Sequence, residues 1–91
     1  SHSYLLWGKG RINSTFVAVG NNGTILTSSD AITWTSRTSG TSNKLRGVTY
    51  GNGLFVAVGN SGTILTSSDA ITWTIKTSGT TEHFRRVAYK E

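Results

Sequence analysis

Acid–base chemistry in this chain of 91 residues would fall to four carboxylates, Asp30, Asp69, Glu82 and Glu91, and two histidines, His2 and His83. A general acid and a general base must face one another across a substrate, with environments that push their pKa values apart. Asp30 and Asp69 occupy copies of one string, "TSSDAITWT", and neither copy holds a second acid or a histidine. Glu82 and Glu91 fall near the end of the chain. The carboxylate inventory is too thin for an acid–base pair. The histidines are isolated and there is no Cys, so no metal-ligand spacing is present and no metal is expected. No Ser, His and Asp arrangement can be built, and "GNNG" reads as a hairpin signal rather than a phosphate loop. The expectation is a protein that is not an enzyme and carries no cofactor.

Charge leaves a binding role open. Nine Lys and Arg against the four acids give a net charge of +5. The basic residues are spread along the chain, without a stripe interleaved with aromatics, which disfavours nucleic acid and leaves a small anion or simple solubility. No apolar run approaches the ~20 residues a membrane-spanning helix needs, so no membrane association is expected. The absence of Cys is compatible with either redox compartment.

The residues that could bind a ligand must be positioned by a repeat. Phe16 matches Phe55, Gly20 matches Gly59, Trp34 matches Trp73 and Tyr50 matches Tyr89, a period of 39 residues. From Phe16 to Trp34 the copies differ only at Asn22 against Ser61. Divergence comes later, with Asn43 against Glu82, Lys44 against His83, Leu45 against Phe84 and Gly47 against Arg86. Abundant β-branched residues, many glycines and no sustained three-and-four apolar spacing rule out helical repeats. Strands are predicted at 45–50, 54–59, 63–67 and 72–76, separated by the Asn52 and Gly53 hairpin signal, by "GNSGT" and by the Asp69 turn. Each unit therefore reads as a four-stranded antiparallel meander.

In "LFVAVG" both alternating sets of side chains are apolar, so the sheet is expected to be covered on both faces. Radial stacking of four-stranded sheets supplies that cover, which is the β-propeller, with ~4 to 8 blades. "SSDAITW", at 28–34 and again at 67–73, resembles the Asp-box or BNR-type repeat of sialidase-like propellers. Ser28, Asp30, Thr33 and Trp34 match its pattern, as do Ser67, Asp69, Thr72 and Trp73. The turn here is one residue shorter and has Ala and Ile where that family has glycine. The resemblance covers both units and implies fold rather than activity, with the box a folding device between the third and fourth strands of a blade. A sialidase-like site, which needs an arginine cluster facing a carboxylate and a Tyr and Glu pair, is not supported.

The expected fold is all-β, a single domain over 1–91 with a first blade at 4–43, a second at 45–77 and an extra first-type strand at 84–89. Two blades leave sheet edges and faces uncovered. Identical chains would close them by a head-to-tail contact, as a homotrimer of six blades, the favoured closure, or a tetramer of eight. The strand at 84–89 would join the first blade of a neighbouring subunit. In a propeller the first strands line the channel and the loops entering them form one face, which would gather Asn21, Asn22, Asn60, Ser61, Asn43, Lys44, Glu82 and His83, with Arg46, Arg85 and Arg86 toward the channel. A carbohydrate or small anion is the expected ligand, with Trp7, Trp34, Trp73, Tyr50 and Tyr89 as stacking candidates, as in lectin-like rings whose equivalent pockets act together. The alternative is a purely structural propeller fragment, designed or excised, without a ligand.

Overall fold

Runs rich in Val, Ile and Thr pair as strands in the computed structural model, which describes residues 15–90. The strands are β1 (Phe16–Val19), β2 (Ile25–Ser28), β3 (Thr35–Arg37), β4 (Leu45–Gly51), β5 (Leu54–Gly59), β6 (Ile64–Ser67) and β7 (Thr74–Lys76). They form two antiparallel sheets, ordered β1-β2-β3 and β4-β5-β6-β7. The protein is all-β, with two short 3-10 turns and no α-helix among the described residues. No helix there is long and apolar enough to cross a membrane. The second sheet is the expected four-stranded meander. The N-terminal part of the expected first blade, with Trp7, lies outside the described residues.

The turns follow their chemistry. Asn52 (φ 53°) and Gly53 (φ 78°) both take the left-handed conformation required of a two-residue hairpin. Between β1 and β2 the left-handed pair is Asn22 and Gly23, and between β5 and β6 it is Ser61 and Gly62. Gly62 has a second constraint, since a Cβ there would lie 2.0 Å from the Thr80 carbonyl oxygen. The outer strands β3 and β7 begin at Thr35 and Thr74 rather than at the tryptophan side of the turn. The amides of Ile32 and Thr33, and of Ile71 and Thr72, are taken by Asp30 and Asp69 and are not available for a ladder.

One apolar core joins the sheets. Register places Val17 opposite Thr27 and Val19 opposite Ile25, so these four share a face of the first sheet. Phe55, Ala57 and Leu65 share the opposite type of face on the second sheet, with Val48 beside Ala57. Val17, Val19 and Ile25 cluster with Leu45, Val48, Phe55, Ala57, Leu65, Ala70 and Trp73. The Val face of one sheet thus packs on the Phe and Leu face of the next.

The repeat makes the ends of this stack informative. Leu65 and Ala70 are fully buried and Trp73 nearly so, whereas their counterparts Leu26 and Trp34 are half-buried and Ala31 is exposed. Conversely, Val17 and Ile25 are fully buried while Val56 and Ile64 are half-buried. Each half of the internal contact is presented again, partly uncovered, at the opposite end.

The C-terminal segment continues the same pattern. The Leu45 N–H donates to the Gly20 carbonyl at 3.0 Å, and one period later the Phe84 N–H donates to the Gly59 carbonyl at 3.0 Å. A Cβ on Gly47 would lie 3.3 Å from the Arg85 oxygen and the Arg86 Cα, and one on Gly51 would sit in the Tyr89 ring. Residues 84–89 therefore lie against β4, but carry no strand pairing among the described residues.

Candidate functional site

Each "SSDAITW" turn is built by one carboxylate oxygen and one hydroxyl. Asp30 Oδ1 accepts from Ser28 Oγ at 2.9 Å, Ile32 N at 2.8 Å and Thr33 N at 2.9 Å. Asp69 Oδ1 does the same with Ser67 Oγ, Ile71 N and Thr72 N at 3.1, 2.8 and 3.0 Å. Ser28 Oγ and Ser67 Oγ accept in turn from the N–H groups of Ala31 and Ala70. The Thr33 and Ile32 amides hold the Asp30 carboxyl below its ordinary value, and the Thr72 and Ile71 amides do so for Asp69. A carboxylate kept ionised and engaged by three donors is a turn brace rather than a proton donor. The residue following each Asp, Ala31 (φ 65°) or Ala70 (φ 66°), lies in the left-handed region that glycine favours. Trp73 closes the second turn by donating from Nε1 to the Ala70 carbonyl at 2.9 Å.

The loop residues expected to bind a ligand are partly gathered. Around the turn Asn60–Gly62, Arg46 Nε donates to Asn60 Oδ1 at 2.5 Å and Asn60 N donates to the Lys44 carbonyl at 2.9 Å. Ser61 N donates to His83 Nδ1 at 2.9 Å. Lys44, Arg46, Asn60, Ser61 and His83 thus share one rim of the second sheet. The bend between Leu45 and Gly47, where the register of β4 against β5 shifts, presents Arg46 there. Asn21 and Asn22 occupy the equivalent turn of the first sheet, which touches β4. Its counterpart of His83 is Lys44, whose ammonium has no acceptor and cannot repeat the bond to the turn amide. Arg85 and Arg86 are exposed on the segment that crosses Gly47. No group of three or more His, Asp or Glu residues able to hold a metal occurs among the described residues.

The structure adds a feature that the sequence reading missed. A cleft of about 800 Å³ is lined by residues including Ser61, Lys76, Ser78 and Thr80, and a second of about 440 Å³ by their counterparts Asn22, Arg37, Ser39 and Thr41. In each, the serine hydroxyl donates to the carbonyl two residues on, at 3.0 Å for Ser39 to Thr41 and 3.1 Å for Ser78 to Thr80. The signal was the shared "TSGT" at 38–41 and 77–80. These clefts are open, rich in hydroxyl side chains and repeated once per sheet.

No family model matches the chain, and no curated protein or solved structure gives a match.

Proposed function

We propose that this chain is a non-enzymatic β-propeller module of two blades that closes into a ring by association of identical copies, and that the ring presents its repeated rim to a carbohydrate or small anion. One observation supports the assembly: Phe16, Leu26 and Trp34 are half-buried, while their counterparts Phe55, Leu65 and Trp73 are buried in the core that the two sheets share within the chain. The opposite end offers the half-buried Val56, Ile64 and Thr66, the counterparts of Val17, Ile25 and Thr27. A contact whose two halves sit at opposite ends of one molecule is head-to-tail, and closes where its rotation divides a full turn. Six blades from three copies is the favoured ring, with eight from four the other closure.

The ligand reading rests on the rim. Arg46, Lys44 and His83 stand beside the amide and hydroxyl groups of Asn60 and Ser61, a donor-rich set suited to a hydroxylated or anionic ligand. Repetition around a ring would multiply weak contacts. The hydroxyl-lined clefts next to this rim recur in the same way.

Leu26 and Leu65 separate assembly from folding. Leu65→Lys buries a charge inside the chain and should unfold it, whereas Leu26→Lys should leave a folded single copy, read by sedimentation velocity and circular dichroism. Association undiminished in Leu26→Lys would refute the proposed face. Glycan-array and anion thermal-shift screens then test the rim, with no response to either class refuting the ligand reading.

A further inference from the structure

We propose that the margin of the contact between the two sheets binds a small zwitterion, a free α-amino acid, with Arg37 taking its carboxylate and Asp69 its ammonium group. Register brings the first of these groups into place. Thr27 stands opposite both Val17 and Thr35, and Ile25 opposite both Val19 and Arg37, so Thr35 and Arg37 carry the core face of the first sheet outward onto β3. Val17, Val19 and Ile25 pack on the second sheet. Beyond them the contact opens into a cleft of about 270 Å³, whose lining includes Thr27, Ser29, Thr35 and Arg37 from the first unit and Asp69 and Ile71 from the second.

Both charged groups have bonding capacity left over. Arg37 is half-buried, and its Nε donates to Thr27 Oγ1 at 2.9 Å, which fixes the guanidinium plane. Its Nη groups make no hydrogen bond or ion pair among the described residues. Asp69 commits Oδ1 to its own turn, while Oδ2 accepts no hydrogen bond among the described residues. The two charges line one cleft without pairing with each other. A planar guanidinium suits a carboxylate, and a carboxylate oxygen with no donor suits an ammonium group. A simple anion would satisfy Arg37 but meet the Asp69 charge, and a neutral polyol would use neither charge. Drug-sized ligands occupy pockets of ~300–1,000 Å³, so this smaller cleft fits a molecule of amino-acid size. The site occurs once per chain, because the counterpart of Arg37 is the exposed Lys76, which has no planar fork. It is complete within one copy and rests neither on the association nor on the rim ligand proposed above.

Nuclear magnetic resonance titration of the isotope-labelled chain reads the site residue by residue. L-Serine is the probe, added to about 20 mM, enough to detect a Kd of ~1 mM. The expected result is saturable shifts at the amides of Ser29, Thr35, Arg37 and Ile71, with those of Ser61 and His83 unmoved. Glycerate, with a hydroxyl in place of the ammonium group, and ethanolamine, without the carboxylate, should each bind at least about tenfold more weakly. Arg37→Gln should abolish the response, Arg37→Lys should weaken it about tenfold by keeping the charge without the fork, and Lys76→Gln should leave it unchanged. Should Arg37→Gln fail to fold, Arg37→Lys and the two comparators carry the same test. Absence of a saturable response to serine, a response mapped to Ser61 and His83 instead, equal binding of serine and either comparator, or parent-like binding by Arg37→Lys would each overturn the proposal.

Discussion

Ala31 and Ala70 occupy the same left-handed position in two copies of one turn, yet one is exposed and the other fully buried. Replacing each by glycine therefore separates backbone strain from packing. An L-residue in this conformation costs ~1–2 kcal/mol, and the extra freedom of glycine in the unfolded chain takes back roughly 0.5–1 kcal/mol. Ala31→Gly should stabilise the chain by about 0.5–1 kcal/mol on that balance. At Ala70 the deleted methyl is buried, and its loss costs about 0.8 kcal/mol, so Ala70→Gly should come out near neutral. With a urea dependence of ~1–3 kcal/mol per molar, Ala31→Gly should raise the unfolding midpoint by about 0.5 M and Ala70→Gly should hardly move it. Association would cover Ala31 as Ala70 is covered, so the two variants should converge as protein concentration rises. Destabilisation by Ala31→Gly at every concentration would mean that the turn carries no strain at this position.

Further expectations concern the turns. Gly62→Ala puts a Cβ 2.0 Å from the Thr80 carbonyl oxygen in a left-handed residue, whereas Gly53→Ala, also left-handed, meets nothing within 4 Å. Gly53→Ala should cost about 1 kcal/mol and Gly62→Ala well over 2 kcal/mol in urea titration, and equal costs would refute the close approach. The carboxyls of Asp30 and Asp69 are held below their ordinary values by backbone donors. Their contribution to stability is present above the unfolded pKa of ~3.9 and is lost as pH falls through that value toward the folded pKa. The double variant Asp30→Asn and Asp69→Asn should be less stable at pH 7 and should lose less on going to pH 3. An acid dependence unchanged from the parent would show that the carboxylates do not brace the turns.

Much of this fold is legible because its signals are local. β-Branched runs bounded by turn signals mark β4 to β6 nearly to the residue, and Asn52 and Gly53 announce their hairpin by type alone. Asp30 and Asp69 were read as turn residues that cap their own turns, and they lie there; Ser28 and Ser67 end β2 and β6, and their hydroxyls bond into the turns that follow. The short outer strands were read two residues too long at the start of β7, because a side chain acceptor competes with the ladder for Thr72. What stayed hidden is non-local. The fit of Gly23 and Gly62 against the carbonyls of Thr41 and Thr80, and with it the two hydroxyl-lined clefts, joins residues that no period brings together. The rim was half legible: loop positions pointed to Asn60, Ser61 and His83 as neighbours, while the Arg46 to Asn60 bond depends on the irregular start of β4.

The most direct test of assembly is the absolute mass of the unmodified chain by light scattering behind a sizing column. The association of uncovered faces predicts a discrete species of three copies, or four, of the 9.7 kDa chain that persists on dilution. A stable, folded species of one copy at every concentration would contradict it, and would make the two sheets a self-sufficient β-domain.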